Sequence, residues 1–309
     1  MAILIKPSVD PASRWIEVFA QQAPAETLRV WPDMGDPKDI EFAIMRRPDP
    51  GSLEPCSNLR WVASIPAGVE PMLDTGVVPT RVPIIRCVSP NRGEEMAQYV
   101  LLQVLRFHRR IPEYEAMMAT GGWDRLAQPS TDECRVGVMG LGELGEQVAR
   151  RLSAAGFDTA GWTRTTREVP GVVNFCGTSA LKAFMQRCDI VVCVLPLTPD
   201  TQGIVNATSL GWMPRASAVI NVSRGGHVNE PDLIEAIDSG QLRGACLDVL
   251  SVEPPTPELA VAHHPKIYVT PHIACRSRAH QLLPALLDNM ARARAGRPLC
   301  NVVERERGY

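Results

Sequence analysis

Arg224, Glu253 and His272 are the residues of this chain best placed to do chemistry, because each stands just past an apolar run that reads as a strand. Arg224 follows Ile220-Asn-Val-Ser223 and precedes Gly225-Gly226, Glu253 lies beyond Leu247-Asp-Val249, and His272 follows Val269-Thr-Pro271. If those strands run parallel, all three sit near their carboxyl ends, where open α/β sheets bind ligands. A guanidinium fork can hold a carboxylate through two parallel hydrogen bonds. An imidazole passes a proton near neutral pH, and a carboxylate beside it orients the ring. Taken singly, the three read as a turn arginine, a solvated loop acid and a histidine capping a strand; together, behind a nucleotide-binding turn, they read as one site.

That turn is Gly140-Leu141-Gly142-Glu143-Leu144-Gly145. The bare spacing is weak, but an apolar strand run, Cys134 to Met139, leads directly into it and a helical segment, Glu146 to Ala155, follows. The first glycine permits a tight turn, the second lets backbone approach a pyrophosphate, and the third lets helix and strand pack closely. The helix N-terminus then offers free N–H groups to the anion. About 20 residues on, an acid on the ribose hydroxyls marks NAD enzymes. Here Gly161-Trp162-Thr163-Arg164-Thr165-Thr166 carries none. Arg164, with Thr163, Thr165 and Arg167, instead offers cationic and hydroxyl donors suited to a 2′-phosphate. This favours NADP(H), with NAD(H) as the alternative cofactor and a solvated loop as the bland reading.

The elements that must position these residues are strands alternating with helices. In the first part of the chain β-like runs fall at Ile3 to Ile5, Thr27 to Trp31, Phe42 to Met45, Trp61 to Ile65 and Val82 to Cys87. A long helix is expected next, with Asn91 as N-cap and Glu94 closing a capping box, and Pro112 kinking or ending its first part. Further strands are expected at Cys134 to Met139, Phe157 to Trp162, Asp189 to Leu195, Ala218 to Val222, Gly244 to Val249 and Ile267 to Thr270. A last helix, about Arg278 to Arg294, is free to cross back onto the first domain. The chain is therefore read as two doubly wound parallel-sheet α/β domains. One is a Rossmann dinucleotide-binding domain over 93–276; the other is a smaller, flavodoxin-like substrate domain, discontinuous, over 1–92 plus 277–309.

Bulk properties narrow the partner. With 309 residues the chain exceeds a single-core domain, and a formal net charge of −2 leaves no basic surplus for nucleic acid or a lipid surface. Nine cysteines, an odd number with no C-x-x-C pair, argue against a disulfide framework or zinc knuckle and for a reducing, cytoplasmic setting. No apolar stretch approaches the roughly 18 residues of a membrane span. The adjacent His263 and His264 lack a neighbouring acid or thiol, so no metal is expected.

Asn221-Val-Ser-Arg-Gly-Gly-His-Val228, Leu247-Asp-Val249 with Glu253-Pro254, and Thr270-Pro-His-Ile-Ala274 resemble the signatures of the D-isomer-specific 2-hydroxyacid dehydrogenases. Asn91-Arg-Gly-Glu-Glu-Met-Ala-Gln-Tyr99, Trp162-Thr-Arg164 and the ending Arg307-Gly-Tyr309 are similar to the glyoxylate/hydroxypyruvate reductase A branch. The resemblance implies NADPH-dependent reduction of a small 2-keto acid, glyoxylate or hydroxypyruvate, by a homodimer. It implies Arg224, Glu253 and His272 as the catalytic set, and Ala67, Gly68 and Val69 with Arg224 around the substrate carboxylate. It also implies Leu195, Pro196, Thr201, Val222, Ser223, Asp248, His272 and Ala274, besides Gly140 to Gly145 and Trp162 to Thr165, on the cofactor side. Some positions depart from the family: Pro66 replaces a usual glycine, Met45 falls where the branch often has a tryptophan near the substrate, and Cys275-Arg-Ser replaces a smaller segment. The usual Ser-Pro-Leu-Trp pattern is also missing around Glu258 to His263. Arg92 and Arg276 are read as surface residues, with flanking the substrate mouth as the alternative. Reduction of larger 2-keto acids, or nucleotide sensing without turnover, are the competing expectations.

Overall fold

The computed structural model describes the chain except residues 8, 9, 66, 67, 75, 88–90, 277 and 307–309. It divides into two compact units, Met1–Arg92 with Arg276–Tyr309, and Gly93–Cys275.

The first unit holds β1 (Ala2–Lys6), β2 (Thr27–Val30), β3 (Ile40–Met45), β4 (Trp61–Ser64) and β5 (Ile84–Arg86), ordered β2-β1-β3-β4-β5 with every pairing parallel. Helices α1 (Ala12–Gln22) and α2 (Glu70–Leu73) join it, as does the C-terminal helix, Ala279–Arg294. A parallel sheet must be covered on both faces, and strand alternation supplies two apolar sets. Ile3, Ile5, Phe42, Ile44 and Trp61 pack with Trp15, Phe19, Leu282 and Leu286, whereas Ala2, Leu4, Ala43, Met45 and Val62 pack with Val69 and Met72. The C-terminal helix is tied down by Arg294, which pairs with Glu26 at 2.5 Å and with buried Glu41 at 2.8 Å. β5 is shorter than the expected Val82 to Cys87 run; Pro83 has no N–H to give the ladder.

The second unit is a seven-stranded parallel sheet: β6 (Arg135–Met139), β7 (Asp158–Thr163), β8 (Val173–Cys176), β9 (Ile190–Cys193), β10 (Ser217–Asn221), β11 (Leu242–Leu247) and β12 (Ile267–Val269). Its order is β12-β11-β10-β9-β6-β7-β8. Strand β6 pairs with both β7 and β9, so the direction of winding reverses at its carboxyl end, where doubly wound sheets bind ligands. Helices α3 (Arg92–His108), α4 (Ile111–Ala119), α5 (Glu143–Ala154), α6 (Leu181–Arg187), α7 (Ala207–Trp212) and α8 (Glu230–Asp238) accompany it. Val100, Val104, Val136, Val138, Val148, Leu152 and Ile220 form one core, and Met139, Phe184, Val191, Leu233 and Ile237 belong to the other.

The long helix does break before Pro112: Arg110 turns left-handed at φ 56°, and α4 restarts with the proline in its first turn. Glu94 was expected to close a capping box at its start. It accepts from Gln98 at 2.9 Å and pairs with Arg151. Strand β8 was not anticipated, because its four half-exposed residues carry no apolar run.

Candidate active site

The glycine turn has the shape its sequence requires. Gly140 adopts φ 93°, donates its N–H to the Trp162 carbonyl at 2.8 Å, and would bring a Cβ to 2.9 Å from the Val194 carbonyl oxygen. A Cβ on Gly145 would lie 1.8 Å from the Gly140 carbonyl oxygen, so only glycine lets α5 approach β6. Gly142, by contrast, meets nothing within 4 Å and caps α5. Open space above a bare helix N-terminus is what a pyrophosphate needs, and these residues fit a dinucleotide. Leu141 lies in the core against Gly161 and Leu144 packs on that core, while Glu143 is exposed in the first turn.

The loop after β7 holds an exposed Arg164 beside Thr165, with the Thr163 hydroxyl donating to the Thr165 carbonyl at 2.8 Å. Arg167 does not share that space freely: it pairs with Glu146 at 2.6 Å, which also takes Arg150 at 2.8 Å. Those two guanidinium groups hold the Glu146 carboxyl below its usual range. The Trp162 indole is buried and donates to the Gly177 carbonyl at 3.0 Å, so this residue serves the turn through its backbone. On the opposite side of β6, the loop after β9 is closed by Thr201, whose hydroxyl donates to the Pro196 carbonyl at 2.7 Å, next to half-buried Leu195.

His272 and Glu253 come together, with Nδ1 of His272 2.8 Å from Oε2 of Glu253. A carboxylate only accepts, so Nδ1 carries the proton and Nε2 is left to exchange one with a ligand. Both groups are partly exposed, at 42% and 32% of their side chains. Glu253 is itself aimed by the Leu250 N–H on Oε1 at 3.1 Å. His272 stands in left-handed backbone at φ 54°, and its N–H reaches the Asp248 and Thr270 carbonyls at 2.9 Å each.

Arg224 is half-buried on the turn after β10, whose shape comes from buried Asn221: Nδ2 donates to the Arg224 carbonyl at 2.9 Å and Oδ1 accepts from the Ser223 N–H at 3.1 Å. The buried Ser223 hydroxyl donates to the Cys193 carbonyl at 2.7 Å, and Val222 is buried beside it. The Arg224 turn and the Glu253 loop meet backbone to backbone, since a Cβ on Gly225 would lie 2.0 Å from the Leu250 carbonyl.

Asp248, expected on the cofactor side, organises the loop beside it. Its carboxylate is buried and takes the Thr270 hydroxyl at 2.6 Å and the Ile273 and Ala274 N–H groups at 2.8 Å each. It acts on the site by folding the loop of His272 and Ala274. Behind it, the Tyr99 hydroxyl donates to Thr270 Oγ1 at 2.5 Å, and burial pushes the Tyr99 phenol up. Glu230 likewise supports the Glu253 loop, accepting the Ser251 N–H and hydroxyl at 2.7 Å each. Tyr99, Asn221, Glu230 and the buried His227 are members of this framework that sequence reasoning did not assign.

In the first unit, Ala67 lies outside the described residues. Val69 is buried, and the Gly68 carbonyl accepts from the Ser64 hydroxyl at 3.0 Å at the carboxyl end of β4. Met45, the last residue of β3, is 1% exposed and packs in the core, as all six residues of the strand are buried; its exposed neighbour Arg46 lines a cavity of about 220 Å³ with Lys6, Pro7, Arg47 and Asp49. Arg92 is buried, not on the surface, and donates to the Cys87 carbonyl at 2.9 Å. Arg276 is exposed. In the second unit, His264 is not a solvated residue: Nε2 meets Asp238 at 3.1 Å while Nδ1 accepts from the Lys266 N–H. Among the described residues no three His, Cys, Asp or Glu side chains gather as a metal site, and no helix is long and apolar enough to cross a membrane.

A doubly wound sheet with a dinucleotide turn at its switch point, and a histidine–carboxylate pair and an arginine at its strand ends, defines the class of the nicotinamide-linked dehydrogenases. The chain belongs to the D-isomer-specific 2-hydroxyacid dehydrogenase family, matching that family's NAD-binding domain over residues 101–274. It is 35% identical over 300 residues to glyoxylate/hydroxypyruvate reductase A of Klebsiella pneumoniae, covering 96% of each protein. Its fold matches a D-isomer-specific 2-hydroxyacid dehydrogenase from Xanthobacter autotrophicus solved with NADPH, with a TM-score of 0.94 at 36% identity over 100% of this chain and 99% of that one. It also matches the NADPH-dependent glyoxylate/hydroxypyruvate reductase of Sinorhizobium meliloti, solved with NADP and sulfate, with a TM-score of 0.93 at 34% identity over all of both chains.

Proposed function

We propose that this protein uses NADPH to reduce small 2-keto acids, glyoxylate to glycolate and hydroxypyruvate to D-glycerate. The observation that carries the reading is the His272–Glu253 pair at 2.8 Å, set at the strand ends beside the Arg224 turn. When bound, the reduced nicotinamide supplies the hydride. The Arg224 fork holds the substrate carboxylate. As negative charge develops on the keto oxygen, Nε2 of His272 donates its proton there, and the ring regains one from solvent. Glu253 keeps Nδ1 protonated and the ring aimed throughout. In this reading the Gly93–Cys275 unit is the nucleotide domain and the other unit the substrate domain. Leu195, Pro196, Thr201, Val222, Ser223 and Ala274 line the cofactor side, by direct contact or through the backbone.

NADPH oxidation across a panel of 2-keto acids tests the proposal. Turnover with glyoxylate and hydroxypyruvate is expected, and none with any acid would favour a nucleotide sensor. Turnover confined to larger acids would favour the competing reading, a reductase of larger 2-keto acids.

The crystallised relatives that hold NADPH and NADP support the phosphorylated cofactor, as does exposed Arg164. Losing a charge-assisted hydrogen bond costs about 1.5–3 kcal/mol, roughly 10- to 100-fold. Arg164→Asp is therefore expected to raise the KM for NADPH by at least that factor and to leave the KM for NADH nearly unchanged; equal effects on both would refute the assignment.

The partner is a second copy of the chain. Leu102, Met118 and Trp123 are 61%, 51% and 85% exposed on α3, α4 and the segment after them, a concentration of apolar surface suited to burial between subunits. Sedimentation is expected to give twice the 33.8 kDa chain mass, and a monomer at micromolar concentration would exclude it. Nine unpaired thiols, six of them buried, support a cytoplasmic location.

A further inference from the structure

His227 is fully buried in the short turn Gly225–His227, yet no step above uses it. Its Nδ1 lies 3.1 Å from the Arg224 carbonyl oxygen and its Nε2 lies 3.2 Å from the Pro196 carbonyl oxygen. Both acceptors are backbone. A ring with two N–H groups satisfies them together, and a ring with one satisfies them in turn. One side chain thereby joins the turn that aims Arg224 to the loop after β9 that carries Leu195 and Pro196.

The Arg224 carbonyl also takes the His227 N–H at 3.2 Å and Asn221 Nδ2 at 2.9 Å, so what the ring alone adds is the reach to Pro196. Gly203 donates to the Gly226 carbonyl at 2.8 Å and Val205 to the His227 carbonyl at 2.9 Å, which fixes the far end of the loop. The Pro196 end is otherwise held within its own loop, by the Thr201 hydroxyl at 2.7 Å. Burying an imidazole costs free energy unless its nitrogens are bonded. An apolar residue would fill the same space without that cost and would join nothing.

We propose that His227 is a positioning residue that couples the nucleotide-side loop to Arg224, so that seating the dinucleotide against Leu195-Pro196 also sets the aim of the carboxylate-binding guanidinium. The proposal rests on the roles given to Arg224 and Pro196 above. Coupling of this kind is reciprocal: whatever the cofactor does for substrate affinity, substrate does for cofactor affinity.

Two substitutions separate the halves of the link. Asparagine places an N–H group near the Nδ1 position, and glutamine places one near Nε2. His227→Asn keeps the Arg224 contact and loses that to Pro196, while His227→Gln does the reverse. The measurements are NADPH Kd by fluorescence titration with and without saturating oxamate, glyoxylate KM at saturating NADPH, Kd for oxamate as a non-reducible carboxylate probe, and melting temperature.

A lost neutral hydrogen bond is worth roughly a 3- to 10-fold change. Because the two contacts act in series, breaking either one is expected to cut the tightening of NADPH Kd by saturating oxamate by that factor in both variants, with melting temperature held. His227→Asn alone is also expected to raise NADPH Kd in the absence of oxamate, since it loses the Pro196 contact. Variants in which oxamate tightens NADPH binding as it does in wild type, or in which every constant rises in step with a fall in melting temperature, overturn the coupling. A wild-type protein that binds NADPH but neither reduces a 2-keto acid nor binds oxamate overturns the functional reading instead. The NADPH titrations of the two variants then still decide whether the Pro196 link exists.

Discussion

Removing the His272 imidazole is expected to lower kcat by roughly 10²–10⁴-fold, the usual contribution of a positioned acid, while NADPH Kd stays within about twofold. The expectation follows from geometry. Glu253 at 2.8 Å occupies Nδ1, so Nε2 is the nitrogen left for a ligand, and without it the developing alkoxide has no donor from this pair. The choice of variant matters. His272 sits at φ 54°, where most side chains are strained and asparagine is comparatively tolerated. His272→Ala therefore risks loosening the loop, whereas His272→Asn should keep the melting temperature and still lose turnover. An active His272→Asn enzyme would sink the mechanism, and loss of turnover accompanied by loss of NADPH binding would assign His272 to the fold.

Arg224 carries the second large effect. Truncating one partner of a buried, hydrogen-bonded charge pair costs about 2–5 kcal/mol, or roughly 30- to several-thousand-fold in affinity. Arg224→Gln is expected to lose at least two orders of magnitude in kcat/KM for glyoxylate, most of it through KM, with NADPH Kd preserved. Arg224→Lys should recover little, because a point charge lacks the planar fork that meets both carboxylate oxygens. An unaltered glyoxylate KM in Arg224→Gln would place the substrate carboxylate elsewhere.

Features of the site governed by local rules were legible in the amino-acid sequence. The β6 run and its glycines carry the turn in eleven consecutive positions, and Arg224, Glu253 and His272 each follow an apolar run closely. What escaped depends on partners far along the chain. Tyr99 reaches Thr270 across 171 positions, and no local pattern announces that contact. The part Asp248 plays in folding its loop escaped because its amide partners, Ile273 and Ala274, are about 25 residues away. Arg167 read as a free cation until Glu146 was seen to hold it, and Arg92 as a surface residue until burial gave it the Cys87 carbonyl.

The contact of Gly225 with Leu250 and Ser251 leaves no room for a side chain on the glycine. The spacing between the arginine turn and the histidine–glutamate loop is therefore set by main chain against main chain, with the sizes of surrounding side chains having little say. Such a spacing is insulated from sequence drift. Substitutions among the side chains around this point can then leave the two loops where they are. Variation in the acid accepted then has to arise elsewhere, in loops free to change.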